Sequence, residues 1–530
     1  MARTRPLYRS LVTALVTVAA ACLAACPGPE GESIGTPWRV KVEPTTEVDV
    51  LLVVDSTDSM APAREALAEA FGAFTAALET GDLNDDGGQD RPIPESVHVA
   101  VITADLGLDV DFAIPTCGAP LTGDDGVLQT AGLVSVPGCL PEHARYQVFG
   151  SREPGTARQV ASDTACIVRA IGGGCAYRRP LEAAVRALDP LFGRGADANA
   201  GFVREHSEIA VIVLSDADDC SAMSALYDPL DPGLAEPPGE ARCAAHPELL
   251  LPVSENLRSR LLNIYDHDWG QAIVLPLAGI PPELAGDPRG LAWDVLDDPR
   301  WRSRVDPSDP TRLLPICDGP LGPAAPAPRL VEAADSGLDR IAGSLCEEDL
   351  RAPLIRFADR IARQLSDVCL TDRLNMPDDI HSACDLLEML PTPHPRLDLH
   401  CRDLPGREPS PIAHMPRWGN EVCRLRPDTW HIEGSGLAGN LCFGNLSPRR
   451  IVIDGVDPVR YGELFITCPR APCATDDDCP FRRERTDPRC DRATGRCIQT
   501  CSADDPCSWD LRCEPWPGGE PGRGRCVTNP

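Results

Sequence analysis

Three nearly unbroken apolar runs punctuate the first half of the chain: Val48–Val54, Val97–Ile102 and Ile209–Leu214. A strand buried on both faces reads this way because neither side alternates with water, and burial on both faces marks a parallel sheet. Between these runs the apolar spacing changes to three and four. Pro62 opens a helical segment reaching about Leu78, with Ala66, Leu67, Ala70, Phe71, Phe74 and Leu78 along one face. Pro180–Leu188 predicts a second helix, Ala272–Leu277 a further strand, and Ala352–Leu365 an amphipathic closing helix. Strands alternating with helices predict the α/β class, a doubly wound and mainly parallel sheet over residues 46–370.

Long inserts separate these elements and carry Cys117, Cys139, Cys166, Cys175, Cys220, Cys243, Cys317 and Cys346. Disulfides would restrain such excursions outside the cytoplasm. Residues 371–467 change texture to short strands, Pro-rich turns and scattered cysteines, which predicts a small β-rich module with β segments at Trp430–Ile432 and Arg450–Ile453. Residues 468–530 contain a near-repeat: Cys473, Cys479, Cys490 and Cys497, then Cys501, Cys507, Cys513 and Cys526, with five residues between the first two cysteines of each unit. Units this small bury little apolar surface, so they are read as a disulfide-held tail resembling the cysteine-rich repeats of bacterial surface proteins. Asp476, Asp477 and Asp478 within it read as solvated acids beside a turn, with calcium the alternative.

The length of 530 residues fits two or three domains. Its 54 prolines and 44 glycines put much of the chain into turns, and 5% aromatic content argues against a large aromatic-lined cofactor cavity. The formal charge of −30, with Lys41 the only lysine, disfavours nucleic acid and anionic membrane surfaces as partners, since both require a basic face. Cations are the more natural ligands, although an acidic surface also simply keeps an exported protein soluble.

Residues 1–26 read as an export signal: Arg3, Arg5 and Arg9, then an apolar run from Leu11 to Leu23 too short to span a membrane. The run ends in Leu23-Ala24-Ala25-Cys26, which resembles the lipobox of bacterial lipoproteins. That resemblance implies lipidation of Cys26, and Pro27 in place of an aspartate implies an outer-membrane or cell-surface location. An ordinary signal peptide, with Cys26 kept for a disulfide, is the other reading. Residues 27–45, rich in Pro, Gly and Glu, read as a tether. Setting aside Cys22 and Cys26 leaves 22 of the 24 cysteines, an even number suited to disulfides, whereas sparse histidine and the lack of paired CxxC motifs disfavour structural zinc.

Leu51–Met60, LLVVDSTDSM, carries a buried strand straight into a polar turn and then a helix. Ligands of open α/β sheets bind beyond the carboxyl ends of the strands, where these oxygens would lie. The stretch resembles the DxSxS motif of the metal-ion-dependent adhesion site of von Willebrand factor type A domains, with Thr57 in place of the first serine. The resemblance implies a Mg²⁺ or Mn²⁺ ion held by Asp55, Thr57, Ser59 and, after the third apolar run, Asp216, with Asp218 and Asp219 serving their own loop. A partner protein or surface ligand would complete the ion's coordination with a carboxylate. The family's additional threonine has no counterpart: Gly172–Tyr177 fill its region, and no Ser or Thr lies between Thr164 and Ser207. If the turn is not a metal site, its polar residues only cap the helix that follows.

Asp82, Asn84, Asp86 and Asp90 follow the spacing of a calcium loop, with Gly87 at the sharp turn, but Ile93 stands where an EF-hand has its glutamate. An acidic turn is the alternative reading. No catalytic set emerges: His98 reads as a packed strand residue, His206 has no nucleophile beside it, His246 follows a disulfide-type cysteine, and His267 sits between solvated acids. The expectation is a binding protein for adhesion or scaffolding, with a structural envelope protein bearing a degenerate metal site as the alternative and a metal-dependent hydrolase behind both.

Overall fold

The computed structural model describes residues 38–39, 46–107, 123–175, 177–189, 195–204, 207–228, 231, 234, 241–253, 260, 272–285, 299–334 and 341–365. Beyond these it describes 384–390, 400–410, 421–434, 449–454, 456, 463–467, 488–491, 496–501, 512–515 and 524–527. Cys26, Cys117, His206, His267 and Asp476–Asp478 lie outside the described residues.

The main sheet is built from β1 (Glu47–Val54), β2 (Ser96–Thr103), β3 (Gln147–Phe149), β4 (Glu208–Leu214), β5 (Ala272–Ala278) and β6 (Gly343–Ser344). Their spatial order is 3-2-1-4-5-6, the doubly wound arrangement whose strand order reverses beside the first strand. All neighbouring pairs are parallel except β2 and β3. β1 is central, with Val54 opposite Thr103 on one side and Leu214 on the other.

Successive side chains of a strand face opposite sides, and both sides are covered. Val48, Val50, Leu52 and Val54 pack against α1 (Ala61–Thr80), α2 (Ala157–Ala170) and α5 (Arg351–Leu365) through Leu67, Phe71, Phe74, Ile167, Phe357 and Ile361. Leu51 and Val53 face α3 (Pro180–Leu188) and α4 (Pro328–Ala333) through Leu181, Val185, Leu330 and Val331. Double burial is what makes the strands read as apolar runs. Asp49, the one fully buried charged residue of β1, is held by the backbone N–H of Arg204 at 2.8 Å and its guanidinium Nε at 2.9 Å.

The predicted elements lie within two residues of the observed ones. Four of these elements of the main domain have no counterpart among those predictions: β3, the edge strand running antiparallel, the short edge strand β6, and the helices α2 and α4. Three disulfides, Cys139–Cys166, Cys220–Cys243 and Cys317–Cys346, tie the inserts down. Cys139–Cys166 fastens the insert before β3 to α2, and each of the three closes a chain segment of more than 20 residues, the loop size at which cross-linking restricts the unfolded chain by about 3 kcal/mol.

A second, antiparallel sheet contains β7 (Asp385–Met389), β8 (Arg407–Pro409), β9 (Val422–Leu425) and β12 (Glu463–Thr467), while β10 (Trp430–Gly434) pairs with β11 (Arg449–Ile453). One edge strand is Trp38–Arg39, from the stretch read as a tether, with Trp38 opposite Ile466, and β8 forms the other edge. Leu386, Leu425, Trp430, Ile451 and Ile466 form its core, and Cys401–Cys423 closes one side. In the tail, Cys490 faces Cys497 and Cys513 faces Cys526 across antiparallel strand pairs, the same arrangement in both four-cysteine units.

Candidate functional site

β1 holds Asp55 in place because its pairing with β4 continues one residue past the strand: the Asp55 N–H donates to the Leu214 carbonyl at 2.9 Å. The chain then turns through a short 3-10 segment, Asp58–Met60, into α1. The Asp55 carboxylate organises that turn. Its Oδ1 accepts the Thr57 N–H at 2.9 Å and the Thr57 hydroxyl at 2.7 Å, and Thr57 Oγ1 lies 3.2 Å from Ser59 Oγ. From the first turn of α1, buried Arg64 reaches back and donates to the carbonyls of Asp55 at 3.1 Å and Thr57 at 2.8 Å. Burial lowers the pKa of Arg64 against the pull of Asp55, Asp58 and Asp216.

The second segment leaves β4. Ser215 donates its hydroxyl to Asp55 Oδ2 at 2.9 Å, so the two segments are bonded directly. Asp216 follows and is fixed through its carbonyl, which accepts the Ala325 N–H at 2.8 Å. Asp218 and Asp219 serve helix ends: Asp218 accepts the N–H groups of Arg329 and Leu330 at the start of α4, and Asp219 accepts that of Leu181 at the start of α3. Burial pushes the Asp218 carboxyl up to about 7 against the opposing charge of Arg329.

The third segment is the glycine stretch that replaces the family's threonine. Gly174 lies flat on the turn, its N–H donating to the Ser56 carbonyl at 3.1 Å. A Cβ there would fall 1.6 Å from the Ser56 hydroxyl, so no other residue fits without movement. Cys175 N–H and Gly107 N–H both reach the Asp105 carboxylate beyond β2, whose pKa burial raises. Four residues after Gly174 comes the side chain that defines the centre. Arg178 Nε donates to Asp55 Oδ2 at 2.9 Å, and Nη2 donates to Asp216 Oδ1 at 2.9 Å and Thr57 Oγ1 at 3.3 Å. Its backbone is held by Cys220 N–H at 2.8 Å, beside the Cys220–Cys243 disulfide. A shallow depression continues from Arg178 past Asp218 and Arg329 to Leu313.

Asp55, Thr57, Ser59 and Asp216 are therefore brought together, three of them on a single guanidinium and Ser59 through Thr57. Arg178 was not among the residues singled out in the sequence. The adjacent pair Arg178-Arg179, separated by three residues from the glycine run in a strongly acidic chain, is the signal that could have found it. The side chains of the acidic loop bond to the loop's own backbone. Asp82 Oδ2 accepts Gly87 N–H at 2.7 Å, Asn84 Oδ1 accepts Asp86 N–H at 2.9 Å, Asp86 Oδ1 accepts Gly88 N–H at 2.8 Å, and Asp90 Oδ2 accepts Leu83 N–H at 3.0 Å. The N–H groups of Gly87, Asn84 and Asp86, all donating to exposed Asp82, lower its pKa. Asp85 and Gly87 supply the left-handed backbone of the turn, with φ of 59° and 83°. Among the described residues no three His, Cys, Asp or Glu side chains are placed to hold a metal ion.

His98 donates from Nδ1 to the Phe202 carbonyl at 2.8 Å and stacks on Tyr146, and His246 contacts Glu248 at 3.3 Å. No described helix is long and apolar enough to cross a membrane.

No protein-family model matches the chain, and no curated protein does. Among solved structures, it is similar to a von Willebrand factor type A protein from Catenulispora acidiphila, at 10% identity over 84% of this chain and 68% of that one, with a TM-score of 0.23. It is also similar to the pilus adhesin SpaC from Lactobacillus rhamnosus GG, at 9% identity over 87% of this chain and 44% of that one, with a TM-score of 0.25. At these scores neither likeness bears on the site, which rests on its own geometry.

Proposed function

We propose that this chain is an exported, lipid-anchored envelope protein whose α/β domain, of von Willebrand type A kind, is a binding module for adhesion or scaffolding and not an enzyme. One observation carries the reading: oxygens from two separate segments, Asp55, Thr57 and Ser59 before α1 and Asp216 after β4, converge where the sheet's strands end. In a doubly wound sheet this is where the loops diverge and a ligand finds room. The partner is a protein or surface ligand that meets the rim formed by Thr57 and exposed Ser59. Lipid at Cys26 would hold the module at the outer membrane or cell surface.

The expected Mg²⁺ or Mn²⁺ ion would need Asp55, Thr57 and Asp216, the residues on which Arg178 donates. A dication beside a guanidinium is repelled by roughly 4 kcal/mol per pair of unit charges at about 4 Å and an effective dielectric near 20. With Arg178 in place these residues do not fit the ion. That same observation favours a second reading, a structural envelope protein in which the site only locks the strand ends. Ca²⁺ at Asp82, Asn84, Asp86 and Asp90 would be a separate, stabilising site.

The two readings separate in a capture experiment on envelope extracts, with the full chain as bait and the double variant Thr57→Val with Ser59→Ala as control. The binding reading requires a partner retained by the wild type and lost with the rim hydroxyls. Equal capture by both proteins, or none by either, leaves the structural reading standing.

A further inference from the structure

We infer that Arg178 is a built-in cation: its guanidinium takes the position a divalent metal would hold among Asp55, Thr57 and Asp216, so the site is assembled without metal. Three observations support this independently. The first is contact. Nε and Nη2 reach one oxygen each of both carboxylates at 2.9 Å and the Thr57 hydroxyl at 3.3 Å, so a single planar group joins the two segments much as one ion would. Guanidinium suits this task because its donors are fixed in a fork and it stays charged at every physiological pH.

The second is charge. Asp55 and Asp216 bring two negative charges, while Arg178 on their oxygens and Arg64 on the carbonyls of Asp55 and Thr57 bring two positive ones. With these charges facing one another and Asp58 also acting on Arg64, an added dication would enter beside two guanidinium groups in a site where Arg178 is 10% and Asp55 1% exposed. The third is the coincidence of loss and gain. The segment that lacks the threonine is the one that supplies Arg178, and the close packing of Gly174 on Ser56 sets the path by which its chain arrives. An arginine at the surface by chance would have no reason to displace the expected ligand from the same loop.

The inference concerns the same strand-end site as the binding reading, and it makes that site indifferent to chelators and to the divalent ions of the medium. Mn²⁺ titration of the full chain, followed by electron paramagnetic resonance, tests it with three proteins: wild type, Asp216→Asn and Arg178→Ser. Wild type and Asp216→Asn should take up Mn²⁺ equally, any shared uptake belonging to the acidic loop. Arg178→Ser, which removes the guanidinium and restores a hydroxyl, should gain one further Mn²⁺ bound at least roughly 1,000-fold more tightly than at the same site of the wild type, because relief of about 4 kcal/mol of like-charge repulsion is worth that factor.

Uptake in the wild type that Asp216→Asn removes would overturn the inference, and so would a folded Arg178→Ser protein with no gain. Circular dichroism and melting report whether that variant is folded. If it is not, the comparison of wild type with Asp216→Asn decides alone. Partner capture that withstands chelation agrees with both conclusions, whereas capture abolished by chelator and by Asp216→Asn keeps the binding reading and removes this one.

Discussion

Gly174 and Ser56 touch so closely that the first has no room for a side chain: an added Cβ would stand 1.6 Å from the serine hydroxyl and 2.7 Å from its Cβ. The contact seats the glycine segment on the turn after β1 and thereby fixes where Arg178 begins its reach. Gly174→Ala is expected to lower stability by about 1–3 kcal/mol, the range for forcing extra volume into a packed site. Removing the obstruction with Ser56→Gly in the same chain should recover most of that loss. Urea melts of the two single variants and the double variant measure it, and strictly additive losses would show that the contact is not the cause.

The pairing of Arg178 with two carboxylates has its own energetic signature. Arg178→Met leaves Asp55 and Asp216 without their cation and is expected to cost about 3–5 kcal/mol, as losing one partner of a buried pair does. Replacing both acids in the same protein, Asp55→Asn with Asp216→Asn, should return much of that stability. Chemical denaturation of the three combinations checks the coupling, and a loss in Arg178→Met that neutral partners fail to reduce would assign the effect to packing instead.

Asp218 gives the protein a pH dependence of definite sign. Burial raises its pKa from about 3.8 to about 7 in the folded chain, so between these values the native state holds the proton more tightly than the unfolded one. Its stabilising contribution is present below about pH 4 and declines as pH rises through about 7, at about 1.4 kcal/mol per unit of displacement. Asp218→Asn keeps an acceptor for the Arg329 and Leu330 N–H groups while removing the titration. Thermal melts from pH 4 to 8 should therefore fall less steeply for the variant; identical slopes would count against the displaced carboxyl.

Calcium, if held by the loop after α1, should raise the melting temperature. Asp86 accepts the Gly88 N–H and stands third in the alternating series Asp82, Asn84, Asp86. Asp86→Ala should abolish the calcium-induced increase, and calorimetry with and without the ion reads it directly. A shift of equal size in both proteins would place the ion elsewhere.

Most of the main sheet was legible because burial on both faces leaves an unmistakable trace: β1, β2, β4 and β5 are apolar nearly throughout. β3 was not, since three residues inside a long insert carry no period, and their pairing with Val97–Val99 is decided by tertiary contact. α2 mixes alanine with Arg158, Gln159, Ser162, Asp163 and Thr164, a polar sequence whose helical signal is its cap, Thr156 accepting the Gln159 N–H. At the site, the motif exposed the oxygens that share one local stretch. Arg178 escaped because its role depends on a long side chain crossing from a third segment, and spacing along the chain says nothing about reach across a sheet.

The second sheet takes one edge strand, Trp38–Arg39, from the chain before β1 and its remaining strands from the chain after α5. The α/β domain thus interrupts that sheet in sequence instead of simply preceding it. Under tension applied from the N-terminal side, those two residues would peel from β12 first, a matter of a few backbone bonds, before load reached β1. That strand is gripped on both sides along its whole length, so its bonds would have to shear together, and the weak edge would yield long before the strand that carries the site.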